Sequence, residues 1–206
     1  MPNTLLIFVK NPILGHVKSR LAADIGEEKA LAVYLDLVEK TRKETEQLTG
    51  VRCVLYYSNF IDKDDEWSSD FFEKRLQSKG DLGDKMQKAF QESSDDKVII
   101  IGSDCYDLQR EHIEKAFDKL NSIDIVIGPA NDGGYYLLGM KKLYPELFEG
   151  VDWSTEKVLT QTLDKIKSLN LSVGFLEELV DLDTLRDLQQ SGYYEHFKVF
   201  INDRED

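Results

Sequence analysis

Leu5-Leu6-Ile7-Phe8-Val9-Lys10-Asn11-Pro12-Ile13-Leu14-Gly15-His16-Val17-Lys18-Ser19-Arg20 begins with an unbroken apolar run and leaves it through a loop punctuated by proline and glycine. Five apolar residues without polar alternation fit a strand covered on both faces. The same grammar returns downstream. Lys97–Ile101 runs through Gly102 and Ser103 into Asp104, and Ile123–Ile127 and Tyr135–Met140 flank the turn Asp132-Gly133-Gly134. Val51–Tyr57 and Leu171–Leu176 read as further strands. Between them lie stretches with helical spacing: Glu27–Leu48, Leu82–Phe90, Gln109–Leu120, Glu156–Leu169 and the shorter Thr184–Gln190. Asn59–Ser69 is polar and acidic and reads as a surface loop. Strand and helix alternate, which predicts an α/β fold: a mainly parallel mixed sheet between helices on both faces. No repeat, low-complexity tract or linker interrupts it, so residues 1–206 are expected to form one domain.

Composition narrows the function. A hydrophobic fraction of 41% and a charged fraction of 32% belong to a soluble globular chain. No segment reaches the roughly 18–20 apolar residues of a membrane span. The start, Met1-Pro2-Asn3, carries no basic leader, and two cysteines make no disulfide framework; a cytoplasmic location is expected. The formal net charge of −13 should repel nucleic acid and anionic lipid. A phosphate-bearing ligand would therefore need a few focused cations or a metal held by carboxylates.

Lys10, Lys18 and Arg20 supply such a focus, three cations within eleven residues, in a loop that leaves a strand and enters a helix. Unpaired backbone N–H groups suit anions there, and Gly15 lets the backbone come close. The bland alternative is a solvated basic loop with Gly15 as a turn residue. Asp104 stands at a strand end, where open α/β sheets place ligand groups, and its carboxylate suits Mg²⁺ or Mn²⁺. Helix capping is the alternative for Asp104, and capping is the reading for Asp107. Asp132 is either a second site carboxylate or part of a plain hairpin turn, with Tyr135 beside it as a hydroxyl or ring contact. Trp153 is either a core anchor or a platform for an acceptor, ahead of a helix capped by Ser154 or Thr155. Thr184 and Asp187 look like a capping box, leaving Asp183 free to share a cation with Asp104 or to remain solvated. Gly-x-Gly-x-x-Gly, a Walker A loop and Gly-x-Ser-x-Gly are all missing, which disfavours dinucleotide, P-loop and α/β-hydrolase chemistry.

Together these motifs resemble a known family. Lys10-x-Pro12-x-x-Gly15-x-x-Lys18-Ser19-Arg20-Leu21, Gln77-x-x-Gly80-Asp81-Leu82-Gly83-x-x-Met86, Gly102-Ser103-Asp104-Cys105-x-x-Leu108, Gly128-Pro129-Ala130-x-Asp132-Gly133-Gly134-Tyr135-Tyr136, Asp152-Trp153-Ser154-Thr155 and Asp181-x-Asp183-Thr184 occur in order over nearly the whole chain. The set is similar to a bacterial glycosyltransferase-like family labelled nucleotide-diphospho-sugar transferases. Some of its members are assigned to arsenosugar biosynthesis, and the family looks related to the molybdenum-cofactor and phospholactate nucleotidyltransferases. The resemblance implies a three-layer, Rossmann-like GT-A fold, phosphates near Lys10, Lys18 and Arg20, and a metal on Asp104, with Asp132 or Asp183 completing the metal or acceptor site. Tyr106 and Leu185 stand where prolines are usual, and Ser19 where threonine is.

The function expected first is glycosyl transfer from a nucleoside-diphosphate sugar to a small acceptor, with Mg²⁺ or Mn²⁺ and with Asp132 as base. The alternatives are nucleotidyl transfer from a nucleoside triphosphate to a phosphorylated acceptor, and an inert nucleotide-binding module.

Overall fold

Leu5, Ile7 and Val9 alternate with Leu6 along β1 (Asn3–Val9), so this strand presents apolar side chains to both sides of a sheet. The computed structural model describes residues 3–93 and 97–202. β2 (Val51–Tyr57) and β4 (Lys97–Ile101) flank β1 in parallel, pairing Leu5 with Cys53 and with Ile99. β3 (Phe72–Leu76) extends the sheet beyond β2. On the other side β6 (Tyr135–Met140) runs antiparallel between β4 and β5 (Ile125–Pro129), and β7 (Val173–Phe175) closes the edge parallel to β5. Among the described residues the order is β3-β2-β1-β4-β6-β5-β7, seven strands with one reversed.

Two cores sandwich this sheet. On one face Leu5, Ile7, Ile99 and Ile101 meet Ile113, Ala116, Phe117 and Leu120 of α4 (Arg110–Lys119) and its C-cap, with Val38 of α2 (Glu27–Glu46) at the margin. On the other, Leu6, Val98 and Ile100 meet Met86, Ala89 and Phe90 of α3 (Leu82–Gln91) and Ile166 of α5 (Val158–Ser168). Each fully buried side chain of this size is worth about 1.5–3 kcal/mol. Outside the sheet, α1 (Ser19–Ile25), α6 (Leu185–Gln190) and α7 (Tyr194–Asn202) gather against α2 through Leu21, Leu37, Leu188 and Tyr193. The expected three-layer α/β architecture is the one observed.

Some local expectations need correction. α1, β3 and α7 were not anticipated from the pattern. Asp107 does not cap α4; its Oδ2 accepts from the Gly192 N–H at 3.3 Å, while His112 Nδ1 accepts from the Gln109 N–H at 3.0 Å. α5 begins at Val158, and Thr155 Oγ1 closes the preceding turn by accepting from the Lys157 N–H at 3.3 Å. The Thr184–Asp187 capping box is present: the Asp187 N–H donates to Thr184 Oγ1 at 3.3 Å, and the Thr184 N–H to Asp187 Oδ2 at 2.8 Å. Among the described residues no helix is long and apolar enough to cross a membrane.

Candidate functional site

The C-terminal ends of β1 and β4 lie side by side, and the loops leaving them are fastened before any ligand is considered. The Tyr34 hydroxyl, buried on α2, accepts from the Lys10 N–H at 2.7 Å and donates to the Lys10 carbonyl at 2.8 Å. It lies 3.4 Å from Ser103 Oγ, so one phenol ties the exit of β1 to the exit of β4. Asn11 is buried, and its Oδ1 accepts from the Asn59 and Phe60 N–H groups at 2.9 and 3.2 Å while its Nδ2 donates to the Phe60 carbonyl at 2.9 Å. The first loop is thereby joined to the loop after β2. Gly15 has φ +76°, and a Cβ there would come 3.3 Å from the Glu27 carboxylate, so its turn role is what the structure displays.

The cations of this loop are not equivalent. Lys10 is exposed. Arg20 is largely exposed and reaches Asp183 Oδ2 at 3.2 Å. Lys18, expected beside Lys10 and Arg20 as a phosphate group, is turned inward. Its side chain is only 3% exposed, its Nζ lies 2.9 Å from Asp104 Oδ1, and it donates to the Leu182 carbonyl. The inward turn comes from its backbone, left-handed at φ 51° where α1 begins.

Asp104 keeps 28% of its side chain exposed although Oδ1 is buried, so its open part faces away from Lys18. Its surroundings oppose one another: burial pushes the carboxyl up, but the charges of Lys18 and Lys10 outweigh burial and hold it below the usual range. Lys18 is likewise pulled down by burial and raised on balance by Asp104, Asp181 and Asp183.

Asp181 is the site residue that sequence reasoning passed over. Burial, followed by Asp104, pushes its carboxyl up to about 7, with Asp132 and Asp183 acting in the same sense and Lys18 against them. Its backbone N–H donates to Asn131 Oδ1 at 3.0 Å, and the Leu182 N–H donates to the Asp104 carbonyl at 3.0 Å. In Asp181-Leu182-Asp183 the middle residue is completely buried and both flanking aspartates are half-buried, so nothing in the sequence singles out Asp181. Asp132 is exposed on the β5–β6 hairpin, and its Oδ1 accepts from the Gly134 N–H at 2.8 Å. Gly133 (φ +86°) packs so tightly that a Cβ would meet the Glu156 carbonyl at 2.3 Å.

The two acceptor candidates fare less well. The Tyr135 hydroxyl is buried without a hydrogen bond of good geometry, as is that of Thr162, and burial raises its pKa while the proximity of Thr162 lowers it. It points into the protein and is not available to an acceptor. Trp153 lies 6.3 Å from Phe148 in a stacked arrangement and against Gly83, whose Cβ would sit 2.2 Å from the indole nitrogen. It is a half-buried anchor between α3 and the second core.

Among the described residues no three acidic, histidine or cysteine side chains are grouped as a metal cage. Hard carboxylate oxygens that interact through space, with Asp104 partly open, fit a cation held by one or two carboxylates and completed by phosphate oxygens. That is the usual manner of Mg²⁺.

Known proteins are similar to this chain along most of its length. A 2-phospho-L-lactate guanylyltransferase of Methanocaldococcus vulcanius is 24% identical over 96% of this chain and 90% of its own. The crystal structure of a protein from Desulfovibrio desulfuricans, provisionally assigned as a nucleotide-diphospho-sugar transferase, matches with a TM-score of 0.85. It is 28% identical and covers 100% of this chain and 96% of its own. A nucleotidyl transferase from Methanothermobacter shares the fold at a TM-score of 0.66 and 12% identity, with 97% and 99% of the two chains covered. The expectation of an enzyme of the transferase class is met. The profile of DUF2064, described as an uncharacterized protein conserved in bacteria, matches residues 41–155, more than half of the sequence, and the chain belongs to that family.

Proposed function

We propose that this protein transfers a nucleotidyl group from a nucleoside triphosphate, GTP being the first to test, to a small phosphorylated acceptor. The observation that carries the reading is the meeting of Lys10, Arg20, Asp104 and the 181–183 segment at the ends of β1 and β4, in a chain similar along its length to guanylyltransferases. An acceptor phosphate oxygen attacks the α-phosphorus, a new P–O bond forms, and the bond to the β-phosphate breaks to release pyrophosphate. In this reading Lys10 and Arg20 attract the β- and γ-phosphates, Arg20 by exchanging Asp183 for phosphate oxygens. Asp104, joined by Asp183 once Arg20 has moved, would hold Mg²⁺ or Mn²⁺. A bound cation would offset the charge that grows on the leaving pyrophosphate. Lys18 keeps Asp104 ionised. A phosphate nucleophile already carries its negative charge, so Asp132 is not needed as a base and is better placed to orient the acceptor.

The test is pyrophosphate release from a panel of nucleoside triphosphates with Mg²⁺ and phosphorylated hydroxy acids. Turnover with GTP supports the reading. The structural likeness to a nucleotide-diphospho-sugar transferase keeps glycosyl transfer as the second reading. Consumption of a nucleotide sugar, with no pyrophosphate from any triphosphate, would establish it instead.

A further inference from the structure

The geometry points to Lys18 as a positioning residue that locks the Asp104 loop to the 181–183 segment, and not as a ligand of the substrate phosphates. A side chain only 3% exposed leaves no room for a phosphate oxygen at its ammonium. The ammonium is already engaged twice, by the Asp104 carboxylate in an ion pair at 2.9 Å and by the Leu182 carbonyl, to which it donates. The link is doubled by the backbone, because the Leu182 N–H donates to the Asp104 carbonyl at 3.0 Å. Three distant stretches of chain, at residues 18, 104 and 182, therefore meet at one ammonium. Lys18 also adopts the left-handed backbone, φ 51°, that side-chain-bearing residues rarely take. Such strain persists where surrounding contacts over-determine it, and here those contacts are the ones that aim Asp104. Lys10 and Arg20, both exposed, are left as the groups that can leave their surroundings for a phosphate.

The lock itself is read from the protein alone; what it serves rests on the nucleotidyl-transfer reading. In native-state hydrogen exchange, Lys18→Met is expected to speed exchange of the Leu182 amide at least tenfold while Leu6 and Ile100 in the sheet keep their protection. Unchanged protection at Leu182 overturns the proposal. If the methionine variant does not fold, Asp104→Asn, which removes the same ion pair from its other side, is read in the same way. Calorimetry with GTP then separates aiming from direct contact. Lys18→Met should bind GTP in EDTA within threefold of the wild type, yet lose at least tenfold of the affinity gained on adding Mg²⁺. A general loosening of the fold would not single out the Mg²⁺-dependent part. A tenfold weakening in EDTA would make Lys18 a phosphate ligand and overturn the proposal. Absence of binding by the wild type to GTP, ATP, CTP and UTP alike would defeat the nucleotidyl-transfer reading, and the Leu182 exchange would still decide the lock.

Discussion

Two aspartates in one neighbourhood are driven in opposite directions, and both lead to measurements. Asp104 has Lys18 and Lys10 beside it and stays below the ordinary carboxylate range. Asp104→Asn keeps the shape and removes the charge. Nucleotide binding in Mg²⁺ should then fall by tenfold or more toward the affinity seen in EDTA, and calorimetry with and without Mg²⁺ checks it. Asp181 is pushed up to about 7 by burial and by Asp104. Its unfolded value is near 4, so the native state binds this proton more tightly than the unfolded chain. The stabilisation is complete below about pH 4 and is lost as the pH climbs through 7. Asp181→Asn fixes an uncharged side chain, and its advantage in melting temperature over the wild type should widen between pH 5 and pH 8. An advantage that stays constant across that range would contradict the assignment. The sequence made Asp104 legible because an apolar strand led straight to it. It could not show Lys18 turning inward, since that depends on one left-handed backbone angle, nor distinguish Asp181 from Asp183 without knowing what surrounds them.

Among the elements, the β5–β6 hairpin and α2 carry the geometry that the site relies on. Gly133→Ala puts a methyl group 2.3 Å from the Glu156 carbonyl at φ +86°, which forces the hairpin off the start of α5. A loss of about 3 kcal/mol is expected, read by urea denaturation. Tyr34→Phe leaves the Lys10 N–H and carbonyl without the hydroxyl that now serves both. A cost of about 1–2 kcal/mol is expected from partly buried backbone groups left without this partner, together with weaker nucleotide binding. The central strands were readable because Leu-Leu-Ile-Phe-Val and Val-Ile-Ile-Ile admit few other placements. β3 was not: Phe-Glu-Lys-Arg-Leu is an edge strand covered on one side, and its ion pairs, such as Arg52 to Glu73 at 2.6 Å, leave no apolar run. α1 escaped notice because its seven residues bury only Leu21 among side chains that read as part of the loop.

For the molecule as a whole, the cores formed by the described residues share elements: α2 touches both the first sheet face and the outer helix cluster. Calorimetric unfolding should therefore give one cooperative transition, whereas two resolved transitions would divide the chain into separate units. A formal net charge of −13 sets a long-range repulsion against polyanions. Single-stranded DNA should show no anisotropy change with the protein even at low salt, conditions that favour electrostatic binding. The fold class was legible at this scale because alternation of strand and helix survives the loss of any single element. The strand order was not, since nothing local in Tyr135–Met140 announces that it runs backward between β4 and β5.

The Asp132-Gly133 bond bears on chemical ageing. Aspartyl-glycyl bonds rearrange when the glycine nitrogen attacks the aspartate carboxyl carbon and closes a five-membered imide. Here the Gly133 N–H is engaged with the Ala130 carbonyl at 3.2 Å and the Asp132 carboxylate is drawn to the Gly134 N–H. The folded turn therefore slows isoaspartate formation at a bond that becomes vulnerable whenever the hairpin opens.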